Sequence, residues 1–181
     1  MIRCNLLFFI IIFAFSDACA EVLDQAPGGF TVQHQVSVAV SRDDAWAAFV
    51  HHIGKWWNSD HTVSGDAANL YINAVPLGCF CERLGDTGGL VHLQVTFSNP
   101  AVMLRLSGGL GPLGLMGTTG NMTVEFEDDA AAPGRTLVML RYAVGGYYAG
   151  GLDALAAPVD GVLGEQLAGF AAFVGRGKAA Q

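Results

Sequence analysis

From Leu155 to Val174 the apolar residues Leu155, Val159, Val162, Leu163, Leu167, Phe170, Phe173 and Val174 recur at helical spacing and form one broad stripe. A stripe of that length must be buried against a surface as long as itself. The one other amphipathic helix, about 42 to 53, is short: Ser41 caps an acidic first turn of Asp43 and Asp44, and Trp46, Phe49, Val50 and Ile53 follow. A curved sheet is therefore the expected partner. Pro158 falls inside the long stripe, which predicts a kink or a helix start near that residue, with Leu152 to Ala157 as a preceding turn.

The strands are present in the sequence. Phe30 to Val40 carries Val32, Val36, Val38 and Val40 on one parity, with His34 as its polar interruption. Six further candidates are Asn69 to Val75, Cys79 to Leu84, Leu90 to Phe97, Val102 to Ser107, Asn121 to Glu127 and Arg135 to Val144. In the third of these, Val91, Leu93, Val95 and Phe97 alternate with His92, Gln94, Thr96 and Ser98, so one apolar and one polar face are expected. The glycine-rich stretch Gly108 to Gly120, with Leu110, Leu113, Leu115 and Met116, is too long for a simple hairpin turn. The prediction is an α+β fold: a seven-stranded antiparallel sheet wrapped around a long C-terminal helix, with short helices after the first strand.

Composition sets further bounds. Hydrophobic residues make up 52% and charged residues 14% of the chain, which excludes the low-hydrophobicity, high-charge pattern of disorder. Nine Lys plus Arg form no basic run, and the net charge is -7, so nucleic acid is not an expected partner. Met1, Ile2 and Arg3 precede an uncharged apolar run from Leu6 to Phe15, followed by Ala18, Cys19 and Ala20. That pattern predicts an export signal over 1–20, a linker over 21–29, one domain over 30–175 and a tail over 176–181. The mature product is expected to be periplasmic or secreted, with no stable membrane span once the signal is removed; lipidation at Cys19 is the alternative. The oligomeric state is not legible.

Cys79 and Cys81 remain after export. Two reduced, half-buried thiols, a strained redox-active pair and an intermolecular bridge are all compatible with their spacing. A zinc site would need more ligands, and neither C-x-x-C nor H-x-x-x-H occurs. No metal or cofactor is expected.

The order of elements resembles the START-like helix-grip (SRPBCC) superfamily. Gly54-Lys55-Trp56-Trp57 and Pro76-Leu77-Gly78-Cys79-Phe80-Cys81-Glu82 resemble its branch of bacterial heat-shock ATPase activator homologues and polyketide cyclase-like proteins, and Leu106 to Leu113 resembles a stretch of exported members. The sequence departs from that pattern at Leu77-Gly78, where paired glycines are usual. The resemblance implies an elongated apolar cavity between sheet and helix, holding a lipid, a polyketide or another hydrophobic small molecule. Some members only bind or carry; others are cyclases or hydrolases.

Within that frame Glu82 and His92 are the candidate catalytic groups, Glu82 as a general base with a raised pKa if it faces a cavity, His92 as an acid-base group if its polar face is the concave one. Candidate ligand-binding residues are Trp56, Trp57, Glu82, Arg105, Leu110, Leu113, Met116, Tyr147 and Tyr148. Each has a plainer structural role: core or rim aromatics, an exposed histidine, and arginines Arg105 and Arg141 paired with Glu82 or Glu125. The leading expectation is an exported binder or carrier of a hydrophobic small molecule. A cofactor-free cyclase, isomerase or hydrolase and a protein-interaction module are the alternatives.

Overall fold

The computed structural model describes residues 20–179. Residues 1–19 of the expected export signal, Cys19 among them, lie outside the described residues. The chain forms strands β1 (Ala20–Ala26) and β2 (Gly29–Val38), helices α1 (Arg42–His51) and α2 (Ile53–Trp56), then β3 (Leu70–Ile72), β4 (Cys79–Leu84), β5 (Gly88–Asn99), β6 (Met103–Ser107), β7 (Gly117–Asp128), β8 (Thr136–Tyr147) and α3 (Asp153–Ala179). Every neighbouring pair is antiparallel, in the order β1-β2-β8-β7-β6-β5-β4-β3, and α3 packs on β2, β1 and the two short helices. This is the helix-grip arrangement with eight strands rather than seven.

The extra strand corrects the expected linker at 21–29. Asp24, Gln25 and Ala26 hide the period-two pattern, yet the segment pairs with β2 from Ala20↔His34 to Ala26↔Gly29 around a shift at Val22/Asp24. Pairing satisfies its backbone groups, which sequence periodicity does not report. The long helix also starts earlier than Pro158. Leu152 and Ala156 are wholly buried and fix its first turns, so the proline is carried inside the helix.

The inner face is apolar along β2, β6, β7 and β8: Phe30, Val32, Leu104, Leu106, Val124, Phe126, Val138, Leu140 and Tyr142 are all buried against the stripe of Leu163, Leu167 and Phe170. Phe170 meets Phe49 and Trp56 edge-on, at 5.4 and 5.5 Å between ring centres. Two glycines let α3 approach this closely. A Cβ on Gly164 would stand 2.8 Å from the His34 ring, and one on Gly169 2.6 Å from the Trp56 carbonyl oxygen. Beside Gly164, His34 Nε2 lies 2.8 Å from Asp160 Oδ1, joining β2 to α3 through a buried histidine.

Candidate functional site

β5 does not keep the strict alternation read from its sequence. Phe80 pairs with Leu93 while Cys81 pairs with Val91, leaving His92 as an extra residue, and a second shift falls between Val95 and Phe97. A bulge of this kind turns a side chain to the other face. His92 is thereby buried with Leu93 and Val95, whereas Val91 is 60% exposed; the expectation of an outward His92 is corrected.

The bulge brings the two candidate catalytic residues together. His92 Nε2 is 2.9 Å from Glu82 Oε2, and both side chains are buried. The connection between α2 and β3 closes over the carboxylate. Asn58 caps the turn Ser59–His61, Asp66 caps the turn Ala67–Asn69, and between them the Val63 N–H donates to Glu82 Oε2 at 3.1 Å while the Ser64 N–H donates to Oε1. Burial pushes the Glu82 carboxyl up, but hydrogen bonds from Ser64, Val63 and His92 outweigh it and hold the pKa at about 2. The raised pKa expected of a general base is therefore replaced by a lowered one. An ionised Glu82 accepts a hydrogen bond from Nε2–H, so in neutral His92 the free lone pair is on Nδ1. Nδ1 is buried and has no hydrogen-bond partner among the described residues.

The opposite wall comes from α3. Gln166 interrupts the apolar stripe between Leu163 and Phe170 and is 1% exposed. Its Oε1 accepts the Asn58 N–H at 2.7 Å, while Nε2 is buried without a partner. Trp57 and Phe80 bridge the two walls, with ring centres 5.2 Å apart, and Phe80 stands 5.1 Å from the His92 ring. Glu165 receives hydrogen bonds from Asn58 and His61, which hold its carboxyl below the ordinary range. Gln166 carried a signal in the sequence as a polar residue at stripe spacing. The role of Val63 and Ser64 carried none, because only their backbone amides act.

Other candidates stand apart. Trp56 and Trp57 are core residues, their indole N–H groups donating to the carbonyls of Ala48 and His61. Arg105 is on the outer face, across the sheet from Glu82; it lies over the Phe97 ring and reaches Thr96, so the expected pairing with Glu82 or Glu125 is replaced. Arg141 is likewise exposed. The β6–β7 loop is shorter than expected because β7 begins at Gly117. Within it Leu113 is core, Leu110 and Met116 are partly buried, and Leu115 is exposed. Tyr142 Oη donates to the Gly108 carbonyl and accepts the Leu110 N–H, and burial pushes its pKa up to about 12. Tyr147 and Tyr148 are exposed. Cys79 and Cys81 form a disulfide, not free thiols. Their Cα atoms are 5.4 Å apart, within the bridging range although an extended pair spans about 6.6 Å. The contraction coincides with the register shift at Phe80/Cys81.

Core side chains of the sheet and of α3 pack into one hydrophobic cluster. Two shallow grooves, of about 530 and 670 Å³, lie elsewhere: one over Asp24, Thr31, Asn121 and Ala143, one beside Arg42 and Arg135. Neither includes a candidate residue. Among the described residues no three His, Cys, Asp or Glu side chains cluster as metal ligands, and no helix is long and apolar enough to cross a membrane.

No family model and no curated protein matches the chain. Solved structures do match it in fold. DynU16, from the dynemicin biosynthetic locus, superposes with a TM-score of 0.56 at 15% identity over 81% of this chain and 48% of its own. CalC from Micromonospora echinospora, a self-sacrificing resistance protein, gives 0.53 at 17% over 80% and 93%. An uncharacterized protein from Rhizobium leguminosarum gives 0.53 at 17% over 89% and 99%. These likenesses are of fold alone and are consistent with the helix-grip arrangement.

Proposed function

We propose that this chain is an exported START-like (SRPBCC) protein that binds a hydrophobic small molecule with one polar group between the sheet and α3. The observation that carries this reading is the pair of buried polar atoms without protein partners, His92 Nδ1 from the sheet side and Gln166 Nε2 from the helix side. Such a group costs about 1–3 kcal/mol when left unpaired in an apolar surround. One acceptor and one donor, set around Trp57 and Phe80, suit a hydroxyl or a protonated carboxyl on an otherwise apolar ligand, which donates to His92 Nδ1 and accepts from Gln166 Nε2. The buried cluster between sheet and α3 fits a closed form, which opens at the 57–69 segment or the β6–β7 loop to admit the ligand. The resistance and biosynthetic settings of CalC and DynU16 are in keeping with a role among small molecules.

The test is binding of a fluorescent fatty acid and of the matching hydrocarbon without its carboxyl group. Gln166→Leu and His92→Phe are each expected to weaken the acid about tenfold and the hydrocarbon hardly at all. Absence of binding to the full chain, or equal losses for both probes, overturns the reading.

A second reading is favoured by the 2.9 Å contact between Glu82 and His92. A carboxylate that orients a histidine leaves Nδ1 as a proton acceptor, the arrangement of a general base. His92→Gln would then abolish turnover of a bound substrate while leaving its affinity within about threefold.

A further inference from the structure

On the outer face of the same strand, away from the Glu82 pair, we infer a thiol–disulfide exchange site at Cys79–Cys81, whose partner is a polypeptide segment carrying two cysteines among apolar side chains. This inference is independent of the ligand reading above.

Three observations carry it. First, the bridge encloses a single residue, Phe80, which is itself buried and held in the sheet. A cross-link over so short a loop removes little freedom from the unfolded chain, so it is a weak staple. Second, the two cysteines differ in access: Cys79 is half-buried and Cys81 is only 5% exposed. An attacking thiolate therefore meets Cys79. Cys81 is the leaving group, and its cross-strand neighbour Tyr71 carries the Arg83 guanidinium 4.6 Å above its ring. A cation on this side favours a departing thiolate.

Third, the surround is apolar and open. Val91, the other cross-strand neighbour of Cys81, is 60% exposed, Val75 53%, Leu77 82% and Tyr71 38%. Leu77 is presented at φ 68°, a left-handed conformation unfavourable for a leucine, and its N–H bonds to Val95 O at 2.9 Å to hold it there. An exposed apolar side chain kept in a costly backbone conformation next to a disulfide fits an apolar partner, not a small hydrophilic thiol.

The exchange balances without a further reagent. A partner thiolate attacks Cys79 Sγ, the Sγ–Sγ bond breaks, and its electron pair leaves on Cys81 Sγ, which takes a proton from solvent. A second thiolate of the same partner attacks the partner's sulfur in the mixed disulfide, forms the partner's own disulfide and releases Cys79 as a thiolate that solvent protonates. Two partner thiols lose two electrons and two protons, and the Cys79–Cys81 pair gains them.

The experiment uses the folded full chain, checked by circular dichroism, and a reduced peptide with two cysteines flanked by leucines, alongside its twin with serines for the leucines. Wild type is expected to oxidise the leucine peptide about tenfold faster than the serine peptide. With the peptide supplied as its disulfide, Cys81→Ser is expected to trap an adduct mapped to Cys79 by mass spectrometry, and Cys79→Ser about tenfold less at the buried Cys81. Leu77→Ser combined with Val91→Ser should slow the peptide reaction about fivefold and alter reduction by dithiothreitol less than twofold. No transfer to the leucine peptide, equal rates for the two peptides, or equal trapping by the two single variants overturns the inference.

Discussion

Between β2, β8, β7 and β6 the pairing runs from end to end without a register shift, whereas β5 slips against β4 and again against β6. The unbroken half presents an almost purely apolar inner face, interrupted by His34, by Thr136, whose hydroxyl donates to the Val40 carbonyl, and by Tyr142, whose hydroxyl is satisfied by the β6–β7 loop. The interrupted half holds a buried carboxylate, a buried imidazole and, on its other side, a disulfide. Regular pleating can sort residues only by parity. A bulge breaks parity and lets a strand that reads as polar-out place one ionisable group inside, next to another. The uninterrupted apolar packing and the buried Glu82–His92 pair thus lie in different parts of one sheet.

The largest effect should come from breaking the apolar half's packing against α3. Phe170→Asp puts an unpaired carboxylate where Phe49 and Trp56 now meet an aromatic ring, at a cost of about 4 kcal/mol or more against a total stability of roughly 5–15. Loss of the cooperative melting transition is expected; an unchanged melting temperature would mean that this face is not core.

A smaller, pH-dependent effect belongs to the bulged half. The Glu82 carboxyl titrates near 2 in the folded chain against an ordinary 4.5. Its pKa is depressed, so its contribution of about 3 kcal/mol is fully present above pH ~5 and is lost as pH falls through 4.5 toward 2. Urea denaturation across that window should show the wild type losing this increment. Glu82→Gln is expected to start about 2–3 kcal/mol lower at pH 7 and to lose correspondingly less on acidification. Parallel curves would assign the acid sensitivity elsewhere.

The smallest effect tests whether the regular half also fixes the β6–β7 loop. Tyr142→Phe removes the hydroxyl that bonds Gly108 O and Leu110 N–H, at about 1–2 kcal/mol. Hydrogen exchange should quicken at Leu110 and its neighbours and leave the β7–β8 amides protected. Uniform quickening would make the loop part of the global unfolding unit.

How much of this was legible in the sequence follows the same division. The stripe on α3 and the parity of β2 announced a sheet packed on a long terminal helix, since each depends on side-chain period alone, whereas the helix-grip name rested on the resemblance in the order of elements. β1 was missed because its stability comes from an edge pairing that its polar residues conceal. Glu82 and His92 could be named but not joined. Their contact requires a slip in β5 set by pairing with β4, and the pKa of Glu82 is set by two amides on a distant loop, which have no side-chain signature. The disulfide was open for the same reason, since regular extended spacing puts two such cysteines farther apart than they stand in β4 opposite the β5 bulge.

Gly164 and Gly169 lie about 140° apart around the α3 axis, so the His34 ring and the Trp56 carbonyl seat the helix from two directions. A rod notched in this way has neither roll nor slide available to it: a small rotation drives backbone into the imidazole, and a small translation drives it into the carbonyl. The helix therefore acts as a fixed post, not a door. A ligand of the kind proposed would therefore enter by movement of the 57–69 segment or the β6–β7 loop, at a rate set by those segments and indifferent to how stiff the helix itself is made.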